Sequence, residues 1–269
     1  MSDQHAAFVG SIPENYDLYL GPCLFEPYAN DIARRITVPE RGSLLEIACG
    51  TGIVTRRLRN QLPKSVRITS TDLNEAMLSY AAAKFGPDDS VEWRQADATA
   101  LPFADSSFEA AVCQFGLMFF PDKLAALREV RRVLAPGGQF VFNVWDSLER
   151  NEVAEVSNDT LTKFFADDPP TFYQIPFGLY QTDVVTGLLA DAGFEDIEVS
   201  VVAKDAISPS AADITKGLIE GNPIIAEIRQ RATADVETIE ATVAKAIADR
   251  FGNKPMRSSM QALVFSAKR

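Results

Sequence analysis

The stretch LLEIACGTGIVTRRL, Leu44 to Leu58, constrains the fold more than any other part of the 269 residues. A short apolar run too brief for a helix meets Gly50 and Gly52, and helical periodicity resumes at once. Such a strand, tight turn and helix makes sense only where the helix crosses back over a sheet to a parallel neighbour. The glycines let the backbone turn sharply and approach a ligand without Cβ obstruction, while the helix start offers unpaired N–H groups. Nucleotide binding is therefore the natural expectation.

The rest of the chain keeps that rhythm. Ser43–Ala48, Ser65–Ser70, Val91–Trp93, Phe108–Cys113 and Gln139–Trp145 read as strands one to five, with helical stretches between most of them. Asn74 is placed to cap a helix running to Lys84, and Pro121 opens another that ends at Pro136-Gly137-Gly138. Phe194–Val202 alternates as a sixth strand and Met260–Ser266 makes a seventh, with a helix at about Thr182–Ala192 before them. Two segments exceed what sheet connections need, residues 147–181 and 205–257. Both are expected to form a cap, the second as helices over Ala211–Glu220, Ile224–Ala232 and Val236–Arg250, broken at Gly221-Asn222-Pro223.

The next strand closes the nucleoside signature. It ends in Asp72, 20 positions beyond Gly52, where a carboxylate can accept both hydroxyls of a ribose. A dinucleotide fingerprint would want Gly or Ala three places after Gly52, and Thr55 stands there, which disfavours pyrophosphate.

Composition narrows the partners. Lys and Arg number 26 against 37 Asp and Glu, a net charge of −11, and neither half of the chain offers a basic face to phosphate. Nucleic acid and anionic membrane are not expected partners. No run of about 18 apolar residues occurs, so no membrane span is expected. Cys23, Cys49 and Cys113 lack the spacing of a disulfide framework or zinc site, and with no secretory pattern at the N-terminus the expectation is reduced thiols in a cytoplasmic protein.

Four motifs share one resemblance: EIACGTG (Glu46–Gly52), TDLNEAML (Thr71–Leu78), QADATALP (Gln95–Pro102) and FEAAVCQF (Phe108–Phe115), followed by RVLAPGG (Arg132–Gly138). Over roughly residues 40–146 the chain resembles the class I S-adenosylmethionine-dependent methyltransferases, most like small-molecule members such as the ubiquinone and menaquinone C-methyltransferase type. The resemblance implies a Rossmann-like, seven-stranded, mostly parallel sheet with helices on both faces, an antiparallel last strand and a helical cap. It also implies an organisation of one domain over 1–269, with an N-terminal lid segment in 1–40, a cofactor-binding core in 41–146 and the cap in 147–181 and 205–257. Carried over to this sequence, Glu46 and the backbone of Ala48, Cys49, Gly50, Thr51 and Gly52 would face the methionine part of S-adenosylmethionine. Asp72 would take the ribose, Leu73 one adenine face with Asn74 and Met77 beside it, and Asp97 and Ala98 the polar edge of adenine. Gln114 would meet the methionine amino group, and Phe115 would begin the substrate floor. Ala48 departs from the pattern, which often has glycine there.

The reaction implied is methyl transfer to carbon or oxygen of a small, mainly apolar acceptor by in-line displacement. A protein that binds S-adenosylmethionine without transferring methyl is the alternative, and a nicotinamide oxidoreductase a more distant one. The sequence offers no obvious base. The single histidine, His5, sits in the N-terminal segment and is left out of the site. Tyr16 or Tyr19 would bond the methionine carboxylate. Tyr19, Phe119, Phe172, Tyr173 and Tyr180 are the candidate substrate contacts, with Phe120 and Phe177 as further aromatics. Asp168-Pro169-Pro170-Thr171-Phe172 lies in the first inserted segment rather than after strand four, and reads as a proline loop without a catalytic role. No metal-ligating set is visible.

Overall fold

The computed structural model of the protein describes residues 8–231 and 234–269. His5 lies outside the described residues. Seven strands form one sheet: β1 (Ser43–Ile47), β2 (Arg67–Asp72), β3 (Val91–Gln95), β4 (Phe108–Gln114), β5 (Leu134–Trp145), β6 (Glu195–Ser208) and β7 (Met256–Lys268). Their spatial order is β3-β2-β1-β4-β5-β7-β6, with the first five parallel and β7 antiparallel to both β5 and β6. This is the Rossmann-like arrangement, and its order reverses between β1 and β4. The carboxyl ends of those strands therefore open a crevice, which is where open parallel sheets bind ligands.

Alternation along the central strands builds a core on each face. Leu44, Ala110, Val112, Val141 and Val264 point to one side, under α2 (Glu26–Arg35) and α3 (Ile53–Gln61), which contribute Ile32, Val54 and Leu58. Leu45, Ala111, Phe140, Phe142 and Phe265 point to the other. Phe142 stacks between Phe140 and Phe265 at centroid distances of 4.9 and 5.0 Å. Helices α4 (Glu75–Ala83), α5 (Lys123–Val133) and α7 (Thr182–Asp191) complete the crossovers. Asp122 caps α5 by accepting from Ala125 N at 2.9 Å. Asn74 occupies the N-cap position of α4 but makes no side-chain capping bond.

The N-terminal segment folds as a short helical turn, α1 (Ile12–Asn15), followed by a ten-residue π-helix, Tyr16–Phe25, that runs directly into α2. Residues 147–181 contain α6 (Glu152–Phe164), a helix not expected from the sequence. The span 205–257, expected to be cap throughout, begins inside β6 and ends inside β7, because these two strands pair continuously from Glu198–Ser266 to Ser208–Met256. Between them stand α8 (Ala211–Glu220), α9 (Ile224–Arg231) and α10 (Val236–Phe251). Helix α8 packs on the π-helix so closely that a Cβ on Gly217 would meet Leu20 at 2.5 Å, and one on Gly221 the Tyr16 backbone nitrogen at 3.0 Å.

Candidate functional site

A cavity of about 260 Å³ opens where β1 to β5 end, roofed by the π-helix and the cap. The turn after β1 sets its floor. Ala48, Gly50 and Gly52 all have positive φ, at 53°, 55° and 80°. At Ala48 that conformation strains a residue with a Cβ by about 1–2 kcal/mol, which explains why glycine suits the position. A Cβ on Gly50 would meet nothing within 4 Å, so its backbone faces open space. Gly52 differs: a Cβ there would meet Ala81 at 3.1 Å and Phe85 at 3.2 Å, so its role is the close packing of α3 on α4.

Asp72 ties this turn to the next. One carboxylate oxygen accepts from Gly50 N and the other from Asn74 N, each at 2.8 Å. Burial raises its carboxyl above the usual range while those amide donors pull it back. Each oxygen retains a lone pair for a ligand hydroxyl. Beside it Leu73 is 55% exposed, an apolar side chain at the cavity with nothing to cover it. Asp97 accepts from both the N and the Oγ1 of Thr99 through one oxygen, 2.8 Å each, which leaves its other oxygen free of those bonds. Gln114, at the end of β4, donates through Nε2 to Phe25 O at 3.3 Å, and its buried Oε1 has no partner. A buried amide oxygen without a donor is costly, so this atom is a place where a ligand cation or N–H fits.

Tyr16, Ala48, Gly50, Asp72, Leu73, Asn74, Met77, Asp97, Ala98, Gln114 and Phe115 therefore come together around one space. The Tyr16 ring stacks on Phe25 at 4.5 Å, and burial together with nearby Asp72 and Asp17 pushes its phenol far up, so it stays a hydrogen-bond donor. Phe115 has φ 52° and stacks on Trp145 at 3.9 Å, making a rigid aromatic wall. Phe119, Phe172 and Tyr173 continue that wall, joined by Phe177 and Phe8. Thr171 N donates to Glu227 Oε2 at 2.8 Å, and Arg231 bonds the Asp168 carbonyl at 2.6 Å, so the proline loop is docked against α9.

Six expected positions lie outside this lining. Glu46 is 2% exposed and turned into the protein, where its Oε2 accepts from Thr55 at 2.5 Å and Ser70 at 2.8 Å. Burial pushes its carboxyl up to about 7 against those hydroxyl donors. It braces the turn rather than facing the ligand space. Cys49 and Thr51 are buried in the turn, and Gly52 packs against Ala81 and Phe85. Tyr19 lies against Gly217 with Lys216 Nζ 5.7 Å from its ring, so Tyr16 alone of the pair lines the cavity. Tyr180 is exposed, beyond the docked loop. Sequence reasoning missed Trp145, Asn151, Met118 and Asn222, which also line the space. Trp145 had a signal in its place at the carboxyl end of β5, and Asn222 stood in a segment read only as a break. Cys23, Cys49 and Cys113 are buried free thiols. Among the described residues no cluster of His, Cys, Asp and Glu is placed to hold a metal, and no helix is long and apolar enough to cross a membrane.

Comparison with known proteins points the same way. Residues 45–142 match the family described as a methyltransferase domain. A ubiquinone/menaquinone biosynthesis C-methyltransferase of Hahella chejuensis is 35% identical over 148 residues, 52% of this chain and 59% of that protein. A demethylmenaquinone methyltransferase of Lysinibacillus sphaericus is 32% identical over 134 residues, 49% of this chain and 57% of the relative. The chain thus spans a little over half the length of these relatives. Among solved structures, phosphoethanolamine N-methyltransferase 2 of Haemonchus contortus, in complex with S-adenosyl-L-methionine, superposes with a TM-score of 0.61 at 17% identity, over 99% of this chain and 59% of the other, a likeness of fold.

Proposed function

From the match of residues 45–142 to a methyltransferase domain and the fold around it, we propose that the protein moves a methyl group from S-adenosylmethionine to carbon or oxygen of a small, mainly apolar acceptor. One observation carries the reading. A single cavity joins the Asp72, Gly50 and Gln114 cluster to an aromatic wall, so a polar nucleoside and an apolar ring fit side by side.

The residues present fit the cofactor. Asp72 has lone pairs left for the ribose hydroxyls, uncovered Leu73 suits an adenine face, and Asp97 keeps an oxygen for the adenine edge with Ala98 beside it. The unpartnered Gln114 oxygen suits the amino group, and the Tyr16 phenol is a donor for the carboxylate. When bound, the sulfonium supplies an electrophilic methyl group. The chain's part is to align the acceptor against it in a space that excludes water, and such alignment of a well-oriented pair is worth about 7–11 kcal/mol. The face of Phe115 and its neighbours favours a cationic centre nearby.

Among the described residues, proton transfer falls to the acceptor. The ionisable side chains around the cavity, among the described residues, are Tyr16, Asp72, Asp97 and Tyr173. The two aspartates stand on the nucleoside side, and Tyr173, pushed up to about 12 by burial, donates to Ser157 Oγ at 3.0 Å. Among the described residues no side chain there offers a base to an acceptor, so one that ionises readily by itself, as phenols and quinols do, fits the site best. The names of the relatives, which act in quinone biosynthesis, favour ring acceptors of that kind.

Calorimetry with S-adenosylhomocysteine beside NAD and NADP tests the cofactor side. Binding of the thioether alone is expected, and preference for a nicotinamide cofactor overturns the reading. Incubation with S-adenosylmethionine and a panel of quinols and phenols then has to yield S-adenosylhomocysteine. Tight binding without turnover on any ring acceptor would leave a binding protein rather than a transferase.

A further inference from the structure

We propose that Asn222 is the polar anchor of the acceptor: its side-chain oxygen accepts a hydrogen bond from a ring hydroxyl, so the site distinguishes a hydroxylated ring from its methyl ether or quinone. This deepens the methyl-transfer reading and rests on it for which end of the cavity holds the acceptor.

The break between α8 and α9 fixes the residue. A Cβ on Gly221 would meet Gly217 O at 2.5 Å and the Tyr16 backbone nitrogen at 3.0 Å, and Pro223 restricts the residue before it. Within that frame Asn222 Nδ2 donates to Gly217 O at 3.3 Å and to Leu218 O at 3.2 Å, carbonyls of the last turns of α8. Both partners are acceptors, so they determine which end of the carboxamide is nitrogen. The oxygen is thereby left without a bond from any described residue, on a side chain that lines the cavity.

Several other polar side chains lining the cavity are engaged with the protein. Tyr173 donates to Ser157. Asn151 gives its amide hydrogens to the carbonyls of Asp146, Ser147 and Gln261 and accepts from Gln261 N. Met118 sulfur accepts from Trp145 N at 3.4 Å. Asn222 Oδ1, oriented by the bonds of Nδ2 to Gly217 and Leu218, is thus an amide acceptor with no partner among the described residues, in the same cavity as the aromatic wall. An acceptor oxygen pairs with an O–H and opposes a carbonyl or ether oxygen, and a site built around one such contact discriminates against molecules that cannot make it.

The test uses the full chain saturated with S-adenosylhomocysteine, with 1-naphthol and 1-methoxynaphthalene as probes, titrated by calorimetry against wild type, Asn222→Ala and Asn222→Leu. Wild type is expected to favour 1-naphthol by roughly fivefold, the worth of one net hydrogen bond. Both variants are expected to bind the two probes about equally while keeping the affinity for S-adenosylhomocysteine. Equal binding of the probes by wild type, no binding of 1-naphthol at millimolar concentration, or an unchanged preference in either folded variant would overturn the proposal. Failure of S-adenosylhomocysteine itself to bind wild type would instead strike the cofactor reading, and the two failures are read in separate titrations.

Discussion

At the scale of single residues, the site is organised by what each polar atom has left over. Gln114 Oε1 is buried and unpaired in the cavity, so Gln114→Leu relieves a desolvated oxygen and gives up only the long 3.3 Å bond from Nε2 to Phe25 O, two effects that nearly offset in the empty fold. We expect Gln114→Leu to leave the melting temperature unchanged or slightly higher, yet to weaken S-adenosylhomocysteine binding by about tenfold, read by thermal scanning and calorimetry on the same samples. A fall in both would mean that the amide is structural. Asp72→Ala acts on two levels, since the carboxylate both meets the ligand and holds Gly50 and Asn74, so it should cost more affinity than Gln114→Leu and some stability too. The glycine turn and the 20 positions from Gly52 to Asp72 made Gly50 and Asp72 legible in the sequence, because turn chemistry at strand ends is local, whereas Gln114 was legible through the family resemblance. Glu46 was not legible in the same way. Its alternation along β1 gave no hint that Thr55 of α3 and Ser70 of β2 would converge on its carboxylate.

At the scale of elements, the turns after β1 and β4 are fitted to each other. A Cβ on Gly116 would stand 2.6 Å from the Ala48 Cβ and 2.7 Å from Cys113 Sγ, so Gly116→Ala overpacks the crevice and should destabilise by about 1–3 kcal/mol. Adding Ala48→Gly removes one of the two contacts and also the strain at φ 53°, so the double variant should recover part of that loss in a urea titration. Strict additivity of the two changes would show that the turns do not touch in solution. Strand positions were readable because period-two alternation and flanking glycines or prolines mark them locally, and the helices of the second insertion were readable from their apolar spacing. The π-helix was not. Its i to i+5 bonding places Tyr16, Leu20 and Leu24 on the cavity, a pattern that reads as ordinary amphipathic helix until the packing of Gly217 and Gly221 against it is seen. The outer halves of β6 and β7 were missed for a related reason, since their pairing is fixed by each other across 47 intervening residues rather than by either segment's own composition.

At the scale of the whole molecule, buried carboxyls set how stability follows pH. Glu46 is held up to about 7 by burial, and Glu240 likewise by burial beside Glu220. In the unfolded chain a glutamate titrates near 4.3, so between about 4.5 and 7 the folded protein keeps protons that the unfolded chain has released. Stability then falls as pH rises, on the order of 3 kcal/mol for Glu46 across the window, with Glu240 adding in the same direction, and levels off above pH 7. Below about 4.5 the sign reverses. Hydrogen bonding to the Arg132 guanidinium holds Glu129 low, and Arg56 does the same for Asp89, so acid removes what those pairs contribute. The maximum is therefore expected near pH 5, measured as the urea midpoint across pH 4 to 8. The net charge of −11 works in the same direction above that maximum, because repulsion grows as carboxyls ionise, and salt separates the two causes. Raising ionic strength should blunt the part that arises from surface repulsion and leave the buried part in place. Glu46→Gln, whose amide oxygen can still accept from Thr55 and Ser70, should flatten the residual slope between pH 5 and 7. A wild-type stability that climbs over that interval would mean that Glu46 is ionised in the fold, and the two hydroxyls would then have to outweigh its burial.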